Sequence, residues 1–353
     1  MDHRKLLVVY SQIMNEQNIQ LAKKLLAEPS RIVIVSHQNP DGDAVGSSLG
    51  LSFYLKDKGH QVQVIMPNDL PDFLKWMPGA EGILIQEKNM DLGKEIISKA
   101  DLVFTLDFNT LNRSGCLESI LKESSAKFIM IDHHQQPDDY AVITYSDVLM
   151  SSTSEMVYRF ITSLESENPL TKEMATCIYT GILTDTGSFR FPSTSPETLR
   201  IAARLVEAGA NNSEIYRNVF DTGTLSRIQL LGLALQKMVV LDDYKTAYIT
   251  LTQKELDDHN FQKGDTEGFV NYGLSIGGIV MAAIFIENEK ENIVKISFRS
   301  KGSFSVNEFA RNHFNGGGHN NAAGGRSHLP LKETINEFIS ILPRYKEKLW
   351  DAV

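Results

Sequence analysis

The sequence predicts an α/β protein of two domains: a larger N-terminal domain with a mostly parallel sheet flanked by helices, and a smaller C-terminal α/β domain. A length of 353 residues suits two domains or one large one. Before Pro196, short β-branched segments alternate with helical segments, a pattern typical of a parallel sheet. A helical region from about Pro196 to Leu241 then precedes a second group of strands.

The elements of the first domain follow each other in a regular order. Residues 13–28 have helical composition and end at Pro29. Strands are predicted at 31–36, 61–66, 101–106 and 127–131, because each is a short apolar segment of the kind that is buried on both faces. Helices are predicted at 44–58, with Gly59 as the C-cap, at 151–164 after Ser/Thr caps, and at 171–185.

The second domain is predicted to mix strands and helices. Helical sequence at 196–210 and 224–240 leads into strands at 245–251, 278–287 and 293–300, a helix at 306–314, a glycine loop and a closing helix from Lys332. These elements place the N-terminal domain at 1–211, a helical linker at 212–236 and the C-terminal domain at 237–353.

Composition is that of an ordinary soluble protein, with 42% hydrophobic and 22% charged residues. The longest apolar run, at 277–286, is shorter than the roughly 18–20 residues of a membrane span. The N-terminus lacks the pattern of a signal peptide. Cys116 and Cys177 form no CxxC pair, so neither disulfides nor a zinc knuckle is expected, and a reducing cytoplasm is the expected location.

The net charge of −9, from 35 basic and 44 acidic residues, argues against a protein that coats long nucleic acid. Such proteins carry a basic face that releases phosphate counterions. An acidic chain can still bind a few phosphates if metal ions supply the positive charge.

Carboxylates and imidazoles follow the predicted strands of the first domain. One example is FIMIDHHQQ at 128–136, where an apolar strand ends in an acid and two histidines with no lysine or arginine beside them. Carboxyl ends of parallel strands meet at one sheet edge, where α/β folds bind ligands. The residues so placed are His37, Asp41, Asp43, Asp107, Asp132, His133, His134 and, at the end of a helix, Asp185.

Each of these residues also has an ordinary explanation when taken alone. An isolated Asp-His-His is usually a polar turn, Asp43 would serve as the N-cap of the next helix, and Asp107 is unremarkable at a strand end. All of these explanations must hold at once, at successive positions of one sheet edge. The coincidence favours a shared site.

A cluster of this many carboxylates requires compensation, because like charges and burial both disfavour ionisation. Divalent metals provide it, and mixed oxygen and imidazole ligands suit Mn²⁺, Mg²⁺, Fe²⁺ or Co²⁺. Two ions about 3.5–4 Å apart can clamp a phosphoryl group and acidify a water between them. We therefore predict two divalent ions, Mn²⁺ first, with Mg²⁺ or Co²⁺ as alternatives.

In the second domain, a glycine-rich segment and a nearby arginine suggest phosphate binding. Gly316, Gly317 and Gly318 precede His319, and glycines let backbone N–H groups approach an anion. Arg299 ends a predicted strand and Lys301 follows it, and arginine suits bidentate phosphate contacts. His313 is interpreted as structural.

These segments together resemble a known family. SHQNPDGDAVGSSLG, Asp107, IDHHQQ and GILTDTGSFRF are similar to the four motifs of the DHH phosphoesterase superfamily, and GGGHNNAAGG to the signature of its DHH-associated C-terminal domain. The resemblance runs from about Arg31 to Gly325. Within the superfamily, length and the single pair of domains look most like the small bacterial oligoribonucleases that also dephosphorylate 3′-phosphoadenosine 5′-phosphate.

The resemblance implies specific roles. One metal would be held by His37, Asp41 and Asp107, and the other by Asp43, Asp107, His133 and Asp185. Asp132 would orient a ligand, His134 would face the substrate, and Arg299 with the Gly316–His319 segment would hold the base or the far phosphate. Asn109 and Asn112 depart from the family pattern, where Ser/Thr and a carboxylate are expected.

The resulting prediction is a metal-dependent hydrolase of very short RNA and of 3′-phosphoadenosine 5′-phosphate. The predicted partners are short RNA oligonucleotides and small phosphorylated nucleotides, without long nucleic acid or membrane, and a homodimer is left open. Alternatives are hydrolysis of a cyclic or linear dinucleotide, and inorganic pyrophosphatase, although the segment from Gly316 to Gly325 contains no Lys or Arg. A non-catalytic nucleotide sensor is the alternative outside enzymes.

Overall fold

The computed structural model describes residues 14–352 with the exception of 166, 168 and 263. The chain divides into two compact units, one ending at Thr222 and the other beginning at Gly223. The predicted domain limits include residues 1–13 and 353, which lie outside the described residues, as does the first residue of the predicted helix at 13–28. Among the described residues, no helix is both long and apolar enough to cross a membrane.

The first unit alternates strands and helices as predicted. Its strands are β1 (Arg31–Val35), β2 (Gln61–Met66), β3 (Leu84–Ile85), β4 (Leu102–Leu106), β5 (Lys127–Asp132) and β6 (Ile143–Ser146). Its helices are α1 (Glu16–Leu25), α2 (Gly42–Asp57), α3 (Met90–Ser98), α4 (Glu118–Glu123), α5 (Thr153–Leu164), α6 (Lys172–Asp185), α7 (Pro196–Glu207) and α8 (Asn212–Phe220). Short 3-10 helices lie at Asp72–Leu74, Ala80–Gly82, Gln86–Lys88 and Leu111–Leu117.

The strands of the first unit form one parallel sheet in the order β3-β2-β1-β4-β5-β6. This confirms the predicted α/β class. The order reverses between β1 and β4, which are neighbours in register from Ile32 with Leu102 to Val35 with Thr105. Open α/β sheets bind ligands beyond the carboxyl ends of their strands at such a reversal.

Both faces of this sheet are buried, as the near-continuous apolar strands require. Ile32 and Ile34 of β1 belong to one hydrophobic cluster, to which α2, α5 and α6 contribute, and Val33 and Val35 belong to the cluster on the opposite face. Helices α2 and α6 pack closely where they meet at Gly46. A Cβ at that position would lie 2.5 Å from the carbonyl oxygen of Cys177, so only glycine fits there. This contact brings the start of α2 beside the end of α6.

The second unit contains a mixed sheet between two layers of helices. Its strands are β7 (Val239–Leu241), β8 (Thr246–Leu251), β9 (Met281–Asn288), β10 (Ile293–Ser300), β11 (Gly317–His319) and β12 (Ala322–Ser327). Its helices are α9 (Leu225–Gln236), α10 (Gln253–Asp258), α11 (Asn271–Leu274), α12 (Val306–His313), α13 (Leu331–Ile341) and α14 (Lys346–Trp350), with 3-10 helices at Asp242–Tyr244 and Leu342–Tyr345.

The strand order of the second sheet is β11-β12-β10-β9-β8-β7, antiparallel except between β8 and β9. One face packs on a cluster that includes Leu230 and Ala234 of α9. The other face packs on an aromatic cluster that includes Phe309 of α12 and Phe338 of α13. From the sequence, His313 is interpreted as structural. Its Nε2 lies 2.7 Å from the hydroxyl oxygen of Tyr345, within hydrogen-bonding distance.

Two predictions of local structure are wrong in this unit. The segment from Gly316 to Gly325 is not a loop but an antiparallel hairpin of β11 and β12, with Gly317 opposite Gly324 and His319 opposite Ala322. The helix predicted over 224–240 ends at Gln236, and residues 239–241 form β7 beside β8. Exposed Val239 and Val240 suit an edge strand as well as a helix end, which is why composition alone failed there.

Candidate metal centre

The carboxylates and imidazoles that follow β1, β4 and β5 meet at the carboxyl edge of the first sheet. His37 is the second residue after β1, and its Nε2 lies 3.3 Å from Oδ2 of Asp107, the residue that follows β4. The same nitrogen lies 3.9 Å from Oδ1 of Asp41. Parallel neighbours in the sheet thus place an imidazole from one strand end against a carboxylate from the next.

Asp41, rather than Asp43, is the N-cap of α2, so capping does not account for Asp43. Oδ1 of Asp41 accepts the backbone N–H groups of Asp43 and Ala44, both at 3.0 Å. The side chain of Asp41 is half exposed. Capping fixes this carboxylate and leaves Asp43, the second residue of the helix, buried for another contact.

Asp43 is bound by the N-terminus of α5. Its Oδ2 accepts the N–H of Thr153 at 2.6 Å, and its Oδ1 accepts the N–H of Ser154 at 2.8 Å. These are N–H groups of the first helical turn, which have no partner within the helix and favour negative charge. From the sequence, the Ser/Thr-rich start of α5 predicts only a cap for its own helix and does not indicate this contact.

Asp107 lies at the centre of the cluster in a strained backbone conformation. Its φ angle is 65°, in the left-handed region that few residues other than Gly, Asn and Asp adopt. It is buried, and its Oδ1 accepts the hydroxyl of Thr153 at 3.1 Å and lies 3.5 Å from Nε2 of His133. Such strain at a buried polar residue is typical of a functional site.

In the Asp-His-His segment at the end of β5, His133 is a candidate metal ligand, and Asp132 forms hydrogen bonds with His134. His133 points Nε2 toward Asp107 and lies 3.6 Å from Oδ2 of Asp185, while its Nδ1 lies 3.3 Å from the carbonyl of Met150. Asp132 is fully buried and accepts both the N–H of His134 at 3.0 Å and, on Oδ1, its Nδ1 at 2.7 Å. Asp132 therefore fixes the orientation of the His134 ring.

The side chains form three overlapping groups whose ligand atoms lie within 4.8 Å of one another. They are His37, Asp41 and Asp107; Asp43, His133 and Asp185; and Asp107, His133 and His134. Asp107 and His133 each belong to two of the groups. The structure thus brings together all the residues predicted as metal ligands, and it places His134 beside them.

Among the described residues, the charged side chains that pair with the carboxylates of this cluster are histidines. Burial alone would lower the pKa of His37, but its hydrogen bond to Asp107 and the charges of Asp107 and Asp41 raise that pKa to about 9. Burial likewise opposes a charged His133, yet Asp107 and Asp185 raise its pKa well above the usual range. Burial and the charges of Asp107 and Asp185 raise the pKa of Asp43 well above its usual range.

This donor set fits divalent cations. Oxygen and imidazole ligands without thiolates suit Mn²⁺, Mg²⁺, Fe²⁺ or Co²⁺. Asp43 and Asp107 are buried, and the carboxylates of the cluster lack a lysine or arginine partner in the described part of the chain. Positive charge from a metal would therefore relieve their repulsion. The departures Asn109 and Asn112 leave the cluster intact, and Asn109 donates to the carbonyl of Gln135 at 2.6 Å, tying the loop after β4 to the loop after β5.

In the second unit, Arg299 and His319 lie in one row across the sheet. Arg299 is opposite Ala282 on β9 and Ala322 on β12, and Ala322 is opposite His319 on β11. Directly opposite residues of antiparallel strands project from the same face, so small alanines flank the arginine there. The Arg299 guanidinium donates to the carbonyl of Phe298 at 2.9 Å, and burial lowers its pKa. Lys301 is exposed beyond the strand end.

The glycines of the hairpin allow its strands to pack closely. A Cβ at Gly316 would lie 1.9 Å from the carbonyl oxygen of Gly324. Asn307 of α12 accepts the N–H of Gly318 at 3.0 Å and the Nε–H of Arg311 at 3.1 Å.

A parallel sheet with carboxylates and imidazoles gathered at its point of reversal is typical of metal-dependent α/β enzymes. Two family models match the chain: the DHH family, N-terminal domain, over residues 31–182, and the DHHA1 domain over residues 243–348. The chain belongs to the DHH family of phosphoesterases and is a phosphoric-ester hydrolase.

Similar proteins support this membership over most of the chain. It is 32% identical to the bifunctional oligoribonuclease and PAP phosphatase NrnA of Thermus thermophilus, over 86% of each chain. It is 29% identical to the NrnA of Bacillus subtilis, over 83% of this chain and 88% of the other. A solved structure from Bacteroides fragilis, described as an exopolyphosphatase-related protein, shares 41% identity with a TM-score of 0.94, over 97% of this chain and 100% of that one.

Proposed function

We propose that the chain hydrolyses short oligoribonucleotides to mononucleotides and 3′-phosphoadenosine 5′-phosphate to AMP, with two divalent metal ions. The observation that carries this proposal is the convergence of three ligand groups on Asp107 and His133 at the sheet edge. The substrates follow the names of the relatives from Thermus thermophilus and Bacillus subtilis. A cytoplasmic location stays a prediction.

The proposed ligand sets are those that the family resemblance implies. His37, Asp41 and Asp107 would hold one ion, and Asp43, Asp107, His133 and Asp185 the other, with Asp107 shared. The groups His37, Asp41 and Asp107, and Asp43, His133 and Asp185, support these sets. Mn²⁺ is the proposed metal, since carboxylates and imidazoles are mixed. When bound, the ions would neutralise phosphoryl charge and lower the pKa of a water.

The chain's own residues would orient the substrate and transfer a proton. Asp132 holds Nδ1 of His134, so we propose that Nε2 of His134 donates to the phosphoryl group or to the leaving oxygen. A fixed ring orientation favours such donation, because the imidazole is already ordered in the folded protein and loses little conformational entropy when it donates. Asp132 therefore acts through His134.

The second unit is proposed to bind the substrate away from the reacting phosphorus. Arg299 presents a planar guanidinium in a row with His319, and the intervening Ala322 leaves room for a flat base or a phosphate. The hairpin backbone from Gly316 to Gly318 and Lys301 at the strand end would add contacts. The domain division 1–211, 212–236 and 237–353 is proposed on this separation of roles.

The test is product release from defined substrates after chelation and resupply of Mn²⁺. The substrates are a labelled RNA dinucleotide, 3′-phosphoadenosine 5′-phosphate, a cyclic dinucleotide, pyrophosphate and linear polyphosphate. Polyphosphate is included because the similar Bacteroides fragilis structure is described as exopolyphosphatase-related. We expect turnover of the first two substrates and its loss on chelation.

The variant D107N tests the shared ligand, because asparagine tolerates the φ of 65° that alanine would strain. We expect D107N to abolish turnover. The matched control is D101N at the opposite end of β4, where Asp101 pairs with Arg31 at 2.8 Å on the surface, and it should keep full activity. Turnover of pyrophosphate or polyphosphate alone would refute the substrate proposal, and full activity of D107N would refute the metal centre.

A further inference from the structure

Thr153, the first residue of α5, contacts carboxylates from two separate segments of the metal centre. Its N–H donates to Oδ2 of Asp43 at 2.6 Å, and its hydroxyl donates to Oδ1 of Asp107 at 3.1 Å. Asp43 belongs to the first turn of α2, and Asp107 follows β4. Thr153 is fully buried, so solvent does not compete for either hydrogen bond.

We infer that Thr153 is a positioning residue of the metal centre, which holds Asp43 and Asp107 in a fixed relation before a cation binds. The inference rests on the proposed ligand sets, in which Asp43 and Asp107 both bind metal. Two buried carboxylates repel each other and would rotate apart without anchors. Hydrogen bonds to ionised acceptors are short and strong, which makes donors at these distances effective anchors.

Thr153 can serve as an anchor because the start of α5 is itself held firmly. Ser152 caps the helix by accepting the N–H of Glu155 at 3.0 Å. The buried Glu155 carboxylate accepts the hydroxyls of Ser151 at 2.6 Å and Thr198 at 2.7 Å, and it pairs with Arg159 at 2.6 Å. The position of Thr153 is thus fixed by a network that extends to the N-terminus of α7.

The side-chain contribution of Thr153 can be separated from its backbone contribution. Valine has the shape of threonine but no donor, so T153V removes the bond to Asp107 and keeps the N–H bond to Asp43. T153S restores a hydroxyl at the same position. Thr162 on the same helix provides a matched control, because its hydroxyl donates to the carbonyls of Tyr158 and Arg159, away from the cluster.

The experiment measures the dissociation constant of Mn²⁺ from metal-free protein by the electron paramagnetic resonance signal of free Mn²⁺. We expect T153V to weaken binding by about 10- to 100-fold, as for other residues that orient metal ligands. T153S should recover most of the affinity, and T162V should bind as the natural protein does. Where T153V does not fold, T153A, which needs no extra space, takes its place.

The outcomes distinguish the inference from the proposal on which it rests. Natural affinity in folded T153V or T153A would overturn the positioning role. A loss of unfolding free energy in T153V that is equal with and without Mn²⁺ would likewise overturn it, because a purely structural role leaves the dissociation constant unchanged. Retention of Mn²⁺ by D107N would refute the ligand sets themselves, whereas loss by D107N together with retention by T153V would refute only the inference.

Discussion

At the scale of single residues, the histidines of the centre take different charge states with and without a metal. In the metal-free protein, Asp107 and Asp41 outweigh burial and raise the pKa of His37 to about 9, so this imidazole is protonated at neutral pH. Burial and the charges of Asp107 and Asp41 raise the pKa of Asp185 to about 7, although the charge of His133 lowers it. A metal requires both groups without their protons.

Metal binding is therefore expected to release protons and to strengthen as pH rises. Between pH 7 and 9, displacement of the His37 proton should increase the affinity for the ion that His37 holds by up to about tenfold per pH unit. The other ion should bind more weakly while His133 is protonated, and more weakly again below pH 7, where Asp185 is protonated as well. Calorimetric titration with Mn²⁺ in buffers of different ionisation enthalpy measures the number of protons released. Affinity that falls as pH rises would contradict the assignment.

Variants at two histidines test whether the proton released on metal binding comes from His37. H37Q removes the group with the raised pKa and should reduce the number of protons released by about one at pH 7. His60 is the control, because burial lowers its pKa. Its Nδ1 accepts the N–H of Ser30, which is not a predicted metal ligand. H60Q should leave proton release unchanged.

At the scale of elements, the hairpin of β11 and β12 depends on glycine for a steric reason. A Cβ at Gly316 would lie 1.9 Å from the carbonyl oxygen of Gly324, an atom of the backbone that cannot turn aside. The hairpin carries His319 and forms the edge of the sheet beside β10. Its geometry should therefore affect substrate binding without reaching the metal ligands, which all lie in the first unit.

We expect G316A to destabilise the second unit by about 1–3 kcal/mol and to raise KM for an RNA dinucleotide while Mn²⁺ affinity stays the same. Gly324 is the matched control in the same hairpin, because a Cβ there would find its nearest neighbour, the carbonyl oxygen of Ile296, at 3.8 Å. G324A should change neither quantity. Chemical denaturation and steady-state kinetics check both variants, and an unchanged KM in G316A would argue against a substrate role for the hairpin.

Elements also differ in how far the sequence predicts them. β1, β4 and β5 were located because burial on both faces demands continuous apolar segments, and their ends predicted the cluster of carboxylates and imidazoles. The hairpin was not predicted, because glycine composition indicates close backbone approach without specifying what approaches. The contact between Asp43 and the start of α5 was not predicted either, since it joins residues 110 positions apart through tertiary packing alone.

At the scale of the whole molecule, the two units should respond differently to metal. All the residues grouped as candidate ligands lie between His37 and Asp185, within the first unit. A ligand that binds only the folded state stabilises the part of the protein that contains its site. The metal-free first unit also retains the repulsion among its buried carboxylates, whereas the second unit has no part in that cluster.

Mn²⁺ should consequently stabilise the first unit and leave the second unchanged. At a free concentration 100 times the dissociation constant, the gain in unfolding free energy is about 2.7 kcal/mol for one site. Hydrogen exchange read by mass spectrometry, with and without chelator, assigns the change to peptides before or after Thr222. D107N should show no such change and D101N the full change. Equal protection of peptides from both units would mean that they unfold as one cooperative body, and protection confined to the second unit would contradict the assignment of the metal centre.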